Sequence, residues 1–152
     1  MTDPTAAWSA LLRVHGTLVP ALDRELQRTH GLPLTWYDVL AELDGAPRRR
    51  MTMSELGNVA MVSRSRVSRV VDELVAAGLV AKESNPTDGR SAYAVVTTAG
   101  RRRLRQARPS YLAAIERGFT AKLSAREAEM VARALGKVLA AGEPDGAGAY
   151  RR

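Results

Sequence analysis

Between Ser63 and Val80 the chain reads SRSRVSRVVDELVAAGLV, a run that admits few folds because it places two unlike faces on one helix. Val67, Val70, Val71 and Leu74 recur at helical spacing as an apolar stripe, while Arg64, Ser65, Arg66, Ser68 and Arg69 crowd the opening turns. The stripe must pack against other elements. The other face offers guanidinium and hydroxyl groups, the chemistry with which a helix lying in a major groove meets phosphates and base edges. Double-stranded DNA is therefore the expected partner.

Charge supports that expectation through its placement. The 152 residues carry a net charge of +7, which alone fits a nucleic acid, a membrane surface or an ordinary soluble protein. From Ala46 to Val71, however, six arginines (48, 49, 50, 64, 66 and 69) face one acid, Glu55. Glu127, Glu129, Glu143 and Asp145 lighten the far end. A hydrophobic content of 45% supports a packed core, in one domain or a compact pair of subdomains. The absence of cysteine excludes disulfides and thiolate zinc sites. The N-terminus, MTDPTAAWSALL, lacks signal-peptide character, and no apolar run approaches membrane-spanning length. A cytoplasmic protein without membrane attachment is expected.

Along the chain, Trp8, Leu11, Leu12, His15, Leu18, Val19, Leu22 and Leu26 share one stripe of a long first helix, with Pro20 expected to kink it and His30-Gly31-Leu32-Pro33 to break it. Thr35 and Asp38 have capping-box spacing for a second helix reaching Leu43. Met51 to Met53 reads as a short strand, and Ser54 as the N-cap of a third helix extending to about Val62. Ser63 caps the fourth, which ends at Gly78. Leu79–Ser84 and Ser91–Thr97 alternate and form a hairpin around Asn85-Pro86-Thr87-Asp88-Gly89. Thr98 is expected to cap a fifth helix running to about Ala121, bent near Pro109. Ser124 and Glu127 make a capping box for a sixth, with Met130, Val131, Ala134, Leu135, Val138 and Leu139 as its stripe.

This order is that of a winged helix-turn-helix flanked by long helices. From Leu34 to Gly100 the chain resembles the core of the MarR family of bacterial regulators: SELGNVAMVSRSRVSRVVDELVAAGLV, NPTDGR and VVTTAG stand in the family's order and spacing, and the outer helices fit as well. The helix segment alone recurs in several winged-helix families. The Asp-x-Arg of the wing tip followed by Thr-x-x-Gly narrows the likeness. The expected fold is mainly α with a small β-hairpin wing. It divides into an N-terminal dimerisation helix (1–33), the winged DNA-binding domain (34–97), C-terminal dimerisation helices (98–142) and a flexible tail (143–152).

Within this frame Ser65, Arg66, Ser68 and Arg69 are candidates for base readout and Arg64 for a phosphate; a merely solvated face is the alternative. Arg90 can extend from the wing tip into a minor groove, with Asp88 holding its guanidinium, or the two can form a purely structural clamp. Gly89 stands where relatives commonly carry a second arginine. Arg50, Thr52 and Ser54 lie where the family approaches the DNA backbone, although Ser54 fits a cap better than a contact. The run Arg101, Arg102, Arg103, Arg105 and Arg108 points in several directions and cannot follow one phosphate strand.

Trp8, Leu11, Leu12, Ile115, Phe119, Leu135, Val138 and Leu139 are candidates for a homodimer interface, the alternative being packing within one subunit. The resemblance further implies release from DNA by a phenolic or other anionic small molecule, for which Trp8, His15, Trp36, Tyr37 and Met61 supply aromatic and polar surface; core packing is the alternative. No aspartate occurs between Asp44 and Asp72, unlike the urate-responsive branch of the family. Two histidines are too few for a metal site, and no cofactor is expected. An enzyme is excluded by inventory: there is no cysteine, no glycine-rich phosphate loop and no H-E-x-x-H helix. A nonspecific or architectural DNA-binding protein and a protein-interaction winged helix remain as rivals.

Overall fold

The computed structural model describes residues 3–142; the tail from 143 to 152 lies outside the described residues. Helices α1 (Ala6–His30) and α2 (Leu34–Gly45) are followed by strand β1 (Arg50–Thr52) and helices α3 (Met53–Val59) and α4 (Arg64–Ala76). Strands β2 (Val80–Ser84) and β3 (Ala92–Val96) form the hairpin, and helices α5 (Thr98–Gly118) and α6 (Ala125–Gly142) complete the chain. The sheet is antiparallel in the order β1-β3-β2, with Arg50 opposite Val95 and Val80 opposite Val96. This is the winged helix-turn-helix architecture. The chain separates into two units, one up to Ala114 and the other from Ile115 onward.

In the first unit the stripe of α4 is buried as its period requires: Val67, Val70, Val71 and Leu74 join Leu40, Leu43, Leu56 and Leu104 in one core. Val80, Ala94 and Val96 supply the inward-facing side of the wing, the alternation expected of a sheet with one solvated face. Leu26 seals the end of α1, whose final turn closes on Gly31 in the left-handed conformation at φ 58°. In the second unit α6 begins at the expected capping box: Ser124 Oγ accepts the Glu127 N–H while Glu127 Oε2 accepts the Ser124 N–H.

Several helix starts differ from the sequence expectation, each because a better partner lies nearby. Asp38 does not complete a box with Thr35. The α2 start is instead capped from α1, where Asp23 Oδ1 accepts the Leu34 N–H at 2.8 Å. Ser54 is not the cap of α3; Thr52 and Glu55 form the capping box there, so Ser54 falls inside the first turn and Met53 is helical rather than part of β1. The helix also stops at Val59, short of Val62. Thr97, not Thr98, caps α5, its Oγ1 accepting the Gly100 N–H at 3.0 Å. α5 ends at Gly118, and a separate 3-10 turn covers Thr120–Lys122.

A candidate nucleic-acid interface

Arg64, Ser65, Arg66, Ser68 and Arg69 are all exposed along the first turns of α4. They are not equivalent. At 100° per residue Arg64 lies nearest the packed face, and its guanidinium donates to Asn58 Oδ1 of α3. Its Cγ passes where a Cβ on Gly57 would come within 3.3 Å, so the glycine leaves room for this bond. Arg64 thus stitches α3 to α4. Arg66 and Arg69 make no ion pair among the described residues. The acids on α4 are engaged elsewhere: Asp72 Oδ1 pairs with Lys82 of β2 at 2.5 Å, and Glu73 Oε2 accepts the Trp36 Nε1–H at 3.1 Å.

The wing tip is organised by Asn85, a residue whose sequence context marks it only as a turn former. Its Oδ1 accepts from the Thr87 N–H and hydroxyl, and its Nδ2 donates to Ser91 Oγ at 2.9 Å, although the residue is only 8% exposed. Asp88 does not clamp the guanidinium of Arg90. Its Oδ1 accepts the Arg90 backbone N–H at 3.0 Å, an Asx-type turn, and the exposed Arg90 side chain pairs with no acid among the described residues. Loss of a buried side chain that satisfies several partners costs about 1–3 kcal/mol. Asn85→Ala is therefore expected to loosen the tip by that amount locally, read as faster hydrogen exchange at Thr87 and Ser91 with α4 amides unchanged.

Of the remaining candidates near the DNA backbone, Arg50 is held on the sheet. Its guanidinium lies 4.2 Å from the Tyr93 ring centroid and 3.6 Å from Glu83 Oε2, linking all three strands. Thr52 is occupied as a cap, and Ser54 is exposed. Arg48 and Arg49 both adopt left-handed backbone, at φ 56° and 54°, a conformation costly for residues with a Cβ. Asp44 beside them receives Arg101 at 3.0 Å and Arg49 at 3.6 Å.

The aromatic candidates divide. Tyr37 is 5% exposed and stacks on Tyr111 with centroids 4.2 Å apart; burial first, and Tyr111 second, push its phenol up to about 12. It is a core residue. Trp36 is half-buried, whereas Trp8, His15 and Met61 are exposed. Asp38, two residues after Trp36 on α2, accepts the Met61 N–H on its Oδ2 at 2.7 Å.

Burial raises the Asp38 carboxyl above its ordinary range, outweighing the lowering effect of that bond. A group raised on folding contributes stability that is present below its unfolded value, near 3.8, and lost as pH rises through the folded value. Asp38→Asn keeps an acceptor and removes the charge. It is expected to raise the melting temperature at neutral pH, with the advantage fading as pH falls to about 4. Melts across that interval check this; a neutral-pH loss contradicts it.

On α1 Trp8 is 61% exposed, and Leu11 and Leu12 are exposed beside it. In the second unit Val138 and Leu139 of α6 are 69% and 72% exposed, Leu135 is exposed, and Ile115 and Phe119 are half-buried. Among the described residues no group of His, Cys, Asp and Glu is arranged to hold a metal, and no helix is long and apolar enough to cross a membrane.

A helix-turn-helix whose second helix presents arginines, followed by a hairpin wing that pairs with the strand before it, is the architecture of winged-helix DNA-binding transcription regulators. A family model described as MarR family matches residues 30–91. Sco3205 of Streptomyces coelicolor, a MarR family transcriptional regulator solved in complex with DNA, is 31% identical over 91% of this chain and 87% of its own, with a TM-score of 0.84. AbsC, another such regulator from Streptomyces coelicolor, is also 31% identical over 91% and 93%, with a TM-score of 0.80. The chain belongs to the MarR family. CouR of Rhodococcus jostii, solved with p-coumaroyl-CoA, shares the fold at 23% identity over 88% and 92%, with a TM-score of 0.77. No curated protein sequence matches the chain significantly.

Proposed function

We propose that this protein is a cytoplasmic, homodimeric, sequence-specific DNA-binding regulator that represses transcription from a pseudo-palindromic operator. The observation that carries the reading is the outward face of α4, where Ser65, Arg66, Ser68 and Arg69 are exposed and the two arginines have no ion pair among the described residues. Desolvating an arginine already paired with a carboxylate would cost affinity; these two are available to base edges, with Arg64 closer to a phosphate. The complex of Sco3205 with DNA supports the same use of the fold. Arg50, Thr52 and Ser54 are assigned to the approach of the DNA backbone, with Arg50 acting chiefly by bracing the wing.

One winged domain covers limited DNA, so two-fold pairing is the expected mode. The exposed apolar side chains of α1 and, separately, of α6 favour association. An effector of anionic or phenolic character belongs to this reading, with Trp8, His15, Trp36 and Met61 as its candidate contacts, while Tyr37, buried against Tyr111, is a candidate only if that core opens.

Selection of bound sequences from a random duplex pool at physiological salt tests the proposal. An enriched inverted repeat is expected. Binding without enrichment would favour a nonspecific architectural role, and no binding at low salt a protein-interaction role. With the site in hand, Arg90→Ala is expected to weaken binding about tenfold where the flanks are A·T-rich and less where they are not, because narrow minor grooves attract arginine. Equal affinities on both flank types would remove the minor-groove assignment.

A further inference from the structure

The apolar contacts beneath α4 are non-directional. Val67, Val70, Val71 and Leu74 bury an apolar stripe, and such burial depends on area, so it opposes a small roll or slide of the helix only weakly. Reading a base edge is less tolerant, since hydrogen bonds weaken steeply away from linear geometry. Arg64 on Asn58 and Asp72 on Lys82 tie α4 to α3 and β2, and two further directional bonds, from the opening turns of α2, add to that restraint. Asp38 Oδ2 accepts the Met61 N–H at 2.7 Å, in the turn that leads into α4. Helix α3 has already closed there, with the Ala60 N–H returning to Leu56 O.

The second bond acts further along α4, where Trp36 Nε1 donates to Glu73 Oε2 at 3.1 Å. Glu73 lies four residues after Arg69 and seven after Arg66, hence on their flank of the helix. A grip on Glu73 therefore sets the angle at which both arginines project. It also withholds the carboxylate from Arg69, which it would meet as an i, i+4 partner.

We propose that Asp38 and Trp36 are positioning residues for DNA recognition: Asp38 sets where α4 begins, and Trp36 sets its roll. The inference rests on the proposed function, and its test separates the two. Affinities for the selected site and for a scrambled duplex are measured at one salt concentration for the wild type, Asp38→Ala, Asp38→Asn and Trp36→Phe, with thermal melts alongside. Misaligning a base contact weakens the specific site, so Asp38→Ala and Trp36→Phe are expected to bind the selected site about tenfold more weakly, about 1.4 kcal/mol. Binding to the scrambled duplex stays within about twofold, because phosphate contacts tolerate a small roll. Asp38→Asn, which keeps an acceptor, restores the preference.

Should Asp38→Ala fail to fold, Trp36→Phe, which keeps an aromatic ring and loses only the donor, carries the test. Variants that discriminate as well as the wild type, or lose affinity equally on both duplexes, overturn this inference alone. A wild type without site preference overturns the proposed function and this inference with it.

Discussion

Gly100→Ala is expected to lower the melting temperature by roughly 10 °C, the loss corresponding to about 3 kcal/mol in a domain of this size. A Cβ at this position would lie 2.1 Å from Leu79 O, 3.0 Å from Val96 Cγ2 and 3.1 Å from Leu79 C. The nearest of these is backbone, which cannot rotate aside as a side chain would. Relief requires the start of α5 to move off the wing. That movement breaks the bonds joining them, Thr97 N–H to Leu79 O at 3.1 Å and Thr97 Oγ1 to Gly78 O at 2.8 Å. Elsewhere on a helix, glycine to alanine is favourable by up to about 1 kcal/mol. Gly136 of α6, where an added Cβ meets nothing within 4 Å, provides the contrast: Gly136→Ala is expected to hold or raise the melting temperature. A Gly100→Ala protein as stable as wild type would show that α5 does not approach the wing this closely.

The second large effect is on DNA. Arg66→Ala combined with Arg69→Ala is expected to reduce affinity for the selected site by about 2–6 kcal/mol per half-site, at least roughly 30-fold, since each arginine reading a base contributes about 1–3 kcal/mol. Both side chains are exposed and outside the core, so the melting temperature should stay near that of the wild type. The loss on a scrambled duplex is expected to be much smaller. Titrations over salt concentration separate the roles, because losing an arginine from a phosphate lowers the salt slope by about one whereas losing one from a base leaves it nearly unchanged. Equal losses on both duplexes, with a reduced slope, would reassign the pair to the DNA backbone.

Helix α4 is legible in the amino-acid pattern because its two faces are encoded within one element. A period of 3.6 in the valines and Leu74 marks what must be buried, and the arginines between them are exposed as a result. The Ser124–Glu127 box and the turn at Gly78, with φ 74°, are legible for a similar reason, since each partner lies within a few residues. Where two local solutions compete, spacing alone does not choose correctly. Thr52 prevails over Ser54 because Glu55 stands three residues after it, and Thr97 over Thr98 because its hydroxyl also reaches Gly78 O.

Asp38 departs from its expected role for a different reason. Its spacing from Thr35 satisfies a capping box, but its carboxylate meets Met61, 23 residues away, while the cap of α2 at Leu34 comes from Asp23, 11 residues before Leu34. Trp36 and Glu73 are 37 residues apart, and neither carries a local signal of the other. The amino-acid pattern therefore determined most of the elements and the buried face of α4, which are properties of short-range periodicity and spacing, while the motifs along α3, α4 and the wing carried the resemblance to the family. Which polar groups meet across elements depended on how the buried faces pack together, and that packing placed Glu73 under Trp36, Arg64 on Asn58 and Leu79 O against Gly100.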